Sequence, residues 1–180
     1  MNPKDEVRRL TDLFPHDPPL ISDFDHVPSS QTPEPYHTLL VHEHHMTVTM
    51  ESFHGTSVNL RVIDETTDGD AYSRCIVLER SDTGRVVQFG IVRFDLRSVT
   101  DAVKSKILTG DVPLGRILIR HNILRHIDPG AILRLTTGPD LAKYLKIAES
   151  TETWGRLATI FCNNAAAVDL LEISAPVTMP

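Results

Sequence analysis

Residues Tyr72–Phe94 read YSRCIVLERSDTGRVVQFGIVRF, two apolar runs of strand length joined by Ser81-Asp82-Thr83-Gly84. Asp, Ser and Gly supply the backbone freedom a hairpin needs, so the stretch predicts antiparallel strands at Tyr72–Glu79 and Val86–Phe94. The same pattern continues upstream. Met46–Phe53 and Val58–Ile63 also have strand character, with turns at His54-Gly55-Thr56 and Asp68-Gly69-Asp70, and the four runs predict a meander. Downstream, Ala131–Thr136, Leu157–Cys162 and Ala167–Ser174 return to strand character. The expectation is an α+β fold built on a mostly antiparallel sheet of six to seven strands.

Helical spacing appears between and before these runs. Asp5–Phe14 places Val7, Leu10 and Phe14 on one side and Pro15 ends it. Ser98 or Thr100 can cap a helix through Ala102, Val103, Ile107 and Leu108, stopped by Gly110, and Pro113 suits the start of a second helical piece. Together these two pieces predict a hairpin-like cover over the sheet. Asp140–Ala148 carries Leu141, Tyr144, Leu145 and Ala148 at helical spacing. Between Pro15 and Pro35 lie half of the twelve prolines, which predicts an irregular extended crossing. One domain over residues 1–180 is expected, with 1–35 forming the N-terminal helix and this crossing.

Composition narrows the function classes. With 41% hydrophobic residues the chain can bury one good core, and its formal charge of -6 disfavours a surface that tracks phosphates. Neither nucleic acid nor membrane is expected as a partner. Met1 is followed by NPKDEVRR, unlike the apolar run of a leader, and no stretch approaches a membrane span, so a cytoplasmic protein is expected. Cys75 and Cys162 lie in strand-like runs and read as buried free thiols.

The polar residues inside strands hold the functional information. In Ala165–Pro176, AAAVDLLEISAP, one face carries Val168, Leu170 and Glu172. A carboxylate on such a face must pair, stay protonated or meet a ligand. Arg74 shares a face with Tyr72, Ile76 and Leu78, and Arg93 shares one with Phe89 and Ile91. A guanidinium binds carboxylate bidentately, so an arginine and an acid converging in an apolar cavity suit a small anion that also bears a hydroxyl. Gly115, in Pro113-Leu114-Gly115-Arg116, offers backbone that a ligand can approach closely. His42-Glu43-His44-His45 enters the run at Met46. His42 and His44 share a face of a strand, but the spacing matches no specific metal motif, and no metal site is expected. No glycine-flanked serine nucleophile occurs.

The order of several blocks is more specific than any of them alone. LLVHEHHMT at Leu39–Thr47, YSRCIVLE at Tyr72–Glu79, VPLGRILI at Val112–Ile119, WGR at Trp154–Arg156 and LLEISAP at Leu170–Pro176 together resemble the chorismate pyruvate-lyase family, in its wider, less characterised branch. The resemblance implies an antiparallel sheet with helical flaps closing over a buried site. It also implies cleavage of chorismate to 4-hydroxybenzoate and pyruvate with neither metal nor organic cofactor. By position, Arg74 looks like the family arginine that clamps the ring carboxylate, and Glu172 like the acid or hydroxyl-orienting group. Met46, Thr47 and Leu114 fall where the family contacts its ligand, and Gly90 and Gly115 where the chain packs close to the pocket. The ligand so implied is a small aromatic or cyclohexadienyl carboxylate.

The chain also departs from the family. Cys75 follows Arg74 where the ubiquinone-type enzymes carry an acid, and His126–Thr153 is longer than their equivalent stretch. Two other readings therefore stand beside the lyase: a same-fold biosynthetic enzyme acting on another small acid, and a non-catalytic ligand-binding module. The fold resembles the effector-binding domains of bacterial transcription repressors, although residues 1–35 are too short and proline-rich for a winged helix.

Overall fold

The computed structural model describes residues 2–177; Met1 and residues 178–180 of the expected domain lie outside them. Helix α1 spans Pro3–Thr11 and strand β1 Ile21–Val27, followed by short helices α2 (Tyr36–Leu40) and α3 (Met46–His54). Strands β2 (Val58–Asp68), β3 (Ala71–Arg80) and β4 (Val86–Asp95) form the meander, and helices α4 (Asp101–Leu108) and α5 (Leu114–Arg120) come next. Strand β5 (Arg125–Thr137), helix α6 (Pro139–Leu145) and strands β6 (Glu152–Cys162) and β7 (Ala165–Ser174) complete the order. The strands make one open, antiparallel seven-stranded sheet in the order β1-β5-β6-β7-β4-β3-β2.

Period-two alternation sends the sheet's side chains to two separately covered faces. Cys75, Val77, Phe89, Ile91, Leu133, Leu171 and Ile173 pack with Val7 and Leu10 of α1 and Leu141 and Leu145 of α6. Leu10 and Leu141 are fully buried, and each such side chain contributes roughly 1.5–3 kcal/mol relative to exposure. Arg9 clamps α1 to this face, binding Glu6 on its own helix and donating to Asp169 of β7 at 2.7 Å. The opposite face carries two clusters. One gathers Val92, Ile160 and Leu170 under α4 and α5; the other gathers Ile76, Leu78, Ile132 and Trp154 under α2 and α3.

Three expectations need correction. Met46–Phe53 is not a strand but most of helix α3, and Gly55 is its left-handed C-cap, with φ of 65°, rather than a hairpin turn. Met46 and Met50 are buried four residues apart, a spacing that both periods allow, and the β-branched Thr47, Val48 and Thr49 imitate a strand. The proline-rich crossing contains β1, an edge strand whose side chains are mostly exposed, so backbone pairing to β5 makes it rather than an apolar pattern. Strand β5 begins at Arg125, six residues before the expected start, because a register shift between Pro129 and Ala131 absorbs the Pro-Gly break.

Candidate functional site

The cavity lies at the seam between the two clusters of the α3/α5 face. Its floor comes from alternate residues of neighbouring strands: Arg74, Ile76 and Leu78 of β3, Gln88, Gly90 and Val92 of β4, Leu170 and Glu172 of β7, and Arg156 of β6. Register puts Ile76, Gly90, Glu172 and Arg156 in one row across four strands. Gly90 opens a gap in that row. A Cβ there would meet Ile76 at 3.4 Å, an ordinary contact, so the missing side chain leaves space that a methyl could occupy.

The roof is made where two helices begin. His45, Met46 and Thr47 stand at the start of α3, and Pro113, Leu114 and Gly115 at the start of α5. An ion pair between Arg116 and Glu51 joins the two helices. Gly115 lies so close to the His45 ring that a Cβ would come within 2.7 Å of it, which only glycine permits. The cavity's volume is about 50 Å³, space for about three to five waters by the measure in which one needs roughly 10–15 Å³. Glu172, Arg74, Met46, Thr47, Leu114, Gly115 and Gly90 all line this one space.

Its charges are unevenly matched. Glu172 accepts from Arg156 Nε at 2.7 Å, and Arg156, 1% exposed, spends its remaining donors on the His42 carbonyl at 2.9 Å and the His44 carbonyl at 3.1 Å. This arginine ties the His42–His45 loop to the sheet. Arg74 is also buried but has no carboxylate partner among the described residues. Its Nη2 reaches the Val112 carbonyl only at 3.5 Å, and its Nη1 is unpartnered. Burial accordingly holds its guanidinium below the usual arginine range. Tyr72 beside it is pushed up to about 12 by burial and by the bond its hydroxyl donates to Glu65 at 2.7 Å. Two guanidinium groups facing one carboxylate leave the cavity one surplus positive charge.

The histidines serve structure. Rather than gathering round a metal, His42 has the Arg156 guanidinium beside it, and among the described residues no three His, Cys, Asp or Glu side chains are placed to hold an ion. His45 Nε2 accepts from Arg125 Nε at 2.8 Å, a bond that requires a neutral ring. Burial first, then Arg125 and Arg156, pulls His45 down to about 4, and burial followed by Arg156 does the same to His42. His45 also borders an open groove holding the exposed Val48, Ile119 and Leu124, so its ring stands between that groove and the cavity. Burial pushes the thiol of Cys75 up to about 12, and both cysteines are free and buried.

A pH dependence follows from three histidines that burial holds low, His42, His45 and His54. Between about pH 6.5 and 4 the unfolded chain holds protons that folded His42 and His45 do not, and His54 acts in the same sense, so stability falls as pH falls through that window. Melting temperature is expected to drop from pH 7 to pH 5. His45→Gln, which can accept from Arg125 without titrating, is expected to shed part of that slope, and an unchanged slope would exclude His45 as a source.

Sequence reasoning missed Arg156 and Gln88. Arg156 was visible only inside the WGR block, although its alternation with Trp154 and Ala158 signals a buried face. Gln88 lies between Val87 and Phe89 in a strand, the same signal that singled out Arg74, and is 2% exposed.

No family model matches the chain, and no curated protein does either. Solved structures do. PhnF from Mycobacterium smegmatis superposes with a TM-score of 0.53 at 11% identity, over 76% of this chain and 65% of that one. The chain thus spans just under two thirds of PhnF. A ligand-binding domain assigned to the GntR family of transcriptional regulators, from Bordetella bronchiseptica, gives a TM-score of 0.51 at 7% identity, over 68% of this chain and 92% of that one. The PhnF C-terminal domain gives 0.51 at 9% identity, over 68% and 85%. At these identities the likeness is one of fold. It corrects the expectation of a chorismate lyase, because a ligand-binding domain assigned to a transcriptional regulator superposes on this chain. The geometry gives a physical reason as well: Glu172, the acid expected to move a proton or orient a hydroxyl, is engaged by Arg156.

Proposed function

We propose that this chain is a small-molecule-binding module whose ligand is a compact monoanionic acid, aromatic carboxylates included, held by Arg74 under the α3/α5 roof. The observation that carries this reading is a guanidinium 2% exposed with an unpartnered Nη1. Burying an unpaired charge costs several kcal/mol, and an incoming carboxylate or phosphate cancels that cost with two parallel hydrogen bonds. One surplus positive charge matches one negative charge on the ligand. The solved structure of similar fold that is described as a regulator's ligand-binding domain supports a sensing role, in which occupancy rather than turnover is the output.

Access requires movement. Pockets for drug-sized ligands run to about 300–1,000 Å³, while this one measures about 50 Å³. Ligand binding therefore has to lift the roof, and the free and bound proteins differ at the His42–His45 loop and the start of α5. Calorimetric titration with benzoate and with inorganic phosphate tests the reading, with Gly90→Ala alongside. Wild-type protein is expected to bind at least one of the two. Gly90→Ala, which places a methyl in the cavity at an ordinary 3.4 Å contact, is expected to keep its melting temperature and weaken binding at least tenfold. Absence of binding to both anions would overturn the proposal, as would unchanged binding in Gly90→Ala.

A further inference from the structure

We infer that Gln88 is the second anchor of this cavity and that it selects acids bearing an uncharged hydrogen-bonding group, a hydroxyl above all, at the end opposite the anion. The inference rests on the acid-binding reading and adds to it the chemistry of the ligand's far end. Gln88 sits within β4, and its Oε1 has no partner among the described residues. Arg74 Nη1 is in the same condition in the same cavity. Folded proteins satisfy nearly all buried polar groups, so two such atoms on residues that line one small space point to what fills it.

The register sets their separation. Arg74 lies opposite Val92, and Leu78 lies opposite Gln88, four residues along either strand. At about 3.4 Å per residue the two rows stand roughly 13–14 Å apart. The row between them holds Ile76 and Gly90 side by side, with Glu172 and Arg156 completing it towards β6. With both side chains reaching inward, that distance suits a ring or short chain carrying one polar group at each end. Glu172, in the intermediate row, is engaged by Arg156 and is not free to serve as the far anchor. A glutamine amide can present either its oxygen or its nitrogen, and a hydroxyl answers both because it donates and accepts.

Calorimetry with benzoate and 4-hydroxybenzoate, on wild type, Gln88→Leu and Arg74→Met, tests the inference. Both probes are expected to bind wild type through Arg74, with 4-hydroxybenzoate about tenfold tighter, the factor that one well-made buried hydrogen bond supplies. Gln88→Leu is expected to bind benzoate as wild type does and to lose the tenfold gain. A gain that is absent in wild type, or that survives in Gln88→Leu, overturns the role of Gln88 and leaves the acid-binding reading intact. Failure of both probes to bind wild type overturns the inference, and the acid-binding reading falls with it if inorganic phosphate also fails to bind. Melting gives a readout free of ligand: Gln88→Leu removes an amide whose oxygen is unpartnered and is expected to melt no lower than wild type, whereas a fall of more than about 5 °C would show the amide to be structurally paired and overturn the inference.

Discussion

Arg156→Met should be among the most damaging single substitutions in the chain, lowering stability by about 3–5 kcal/mol and melting temperature by roughly 10 °C. The loss has two parts. Glu172, 8% exposed, would keep its carboxylate with no cation beside it, and the carbonyls of His42 and His44 would lose the donors that fix the loop between α2 and α3. Removing both charges separates the parts. Arg156→Met with Glu172→Leu replaces a buried ion pair by apolar groups, which by itself is often neutral or stabilising, so the double variant should recover the share due to the stranded carboxylate. What it fails to recover measures the tie to the loop. Calorimetric melting of the two variants provides the comparison, and amide exchange should rise at the start of α3 in both. A single variant that melts within about 3 °C of wild type would remove Arg156 from its structural role.

That arginine also marks the limit of what the sequence disclosed. The hairpin of β3 and β4 was legible because both strands are buried on two faces and a polar turn with a glycine separates them, so composition alone fixes their pairing. Helices α1, α4 and α6 were legible from apolar spacing and from the proline or glycine at their ends. Segments whose structure depends on partners were not. Strand β1 is made by hydrogen bonds to β5 and carries Asp23, Asp25 and His26 outward, a composition no different from a loop. Helix α3 has apolar residues at i and i+4, and only packing against the β2 and α5 side decides between its two periods. In the site, Arg74 and Glu172 could be singled out as polar residues on apolar faces, but which cation Glu172 meets depends on strand order. β7 lies between β6 and β4, so Arg156 from β6 stands directly opposite Glu172 while Arg74, one strand beyond β4, does not. Local alternation carries no information about that order.

Arg74→Met should move stability in the opposite direction. In the free protein the substitution removes a buried charge that has no carboxylate partner among the described residues and whose bond to the Val112 carbonyl is 3.5 Å long, and fills much of the same volume with an apolar side chain. The free variant is therefore expected to be more stable than wild type by about 1–3 kcal/mol, a rise of roughly 3–10 °C in melting temperature. Ligand should reverse the ranking in part. An anion at a hundred times its dissociation constant stabilises wild type by about 2.7 kcal/mol and leaves a variant that cannot bind it where it was, so the gap should close or cross as ligand is added. Arg74→Lys keeps the charge but loses the planar fork, and should fall between the two in affinity. Melting curves of the three proteins, with and without benzoate, make the comparison. A lower melting temperature for free Arg74→Met would mean that the guanidinium is held for the fold, through Tyr72 and Glu65 beside it, and the main argument for an acid in this cavity would fall.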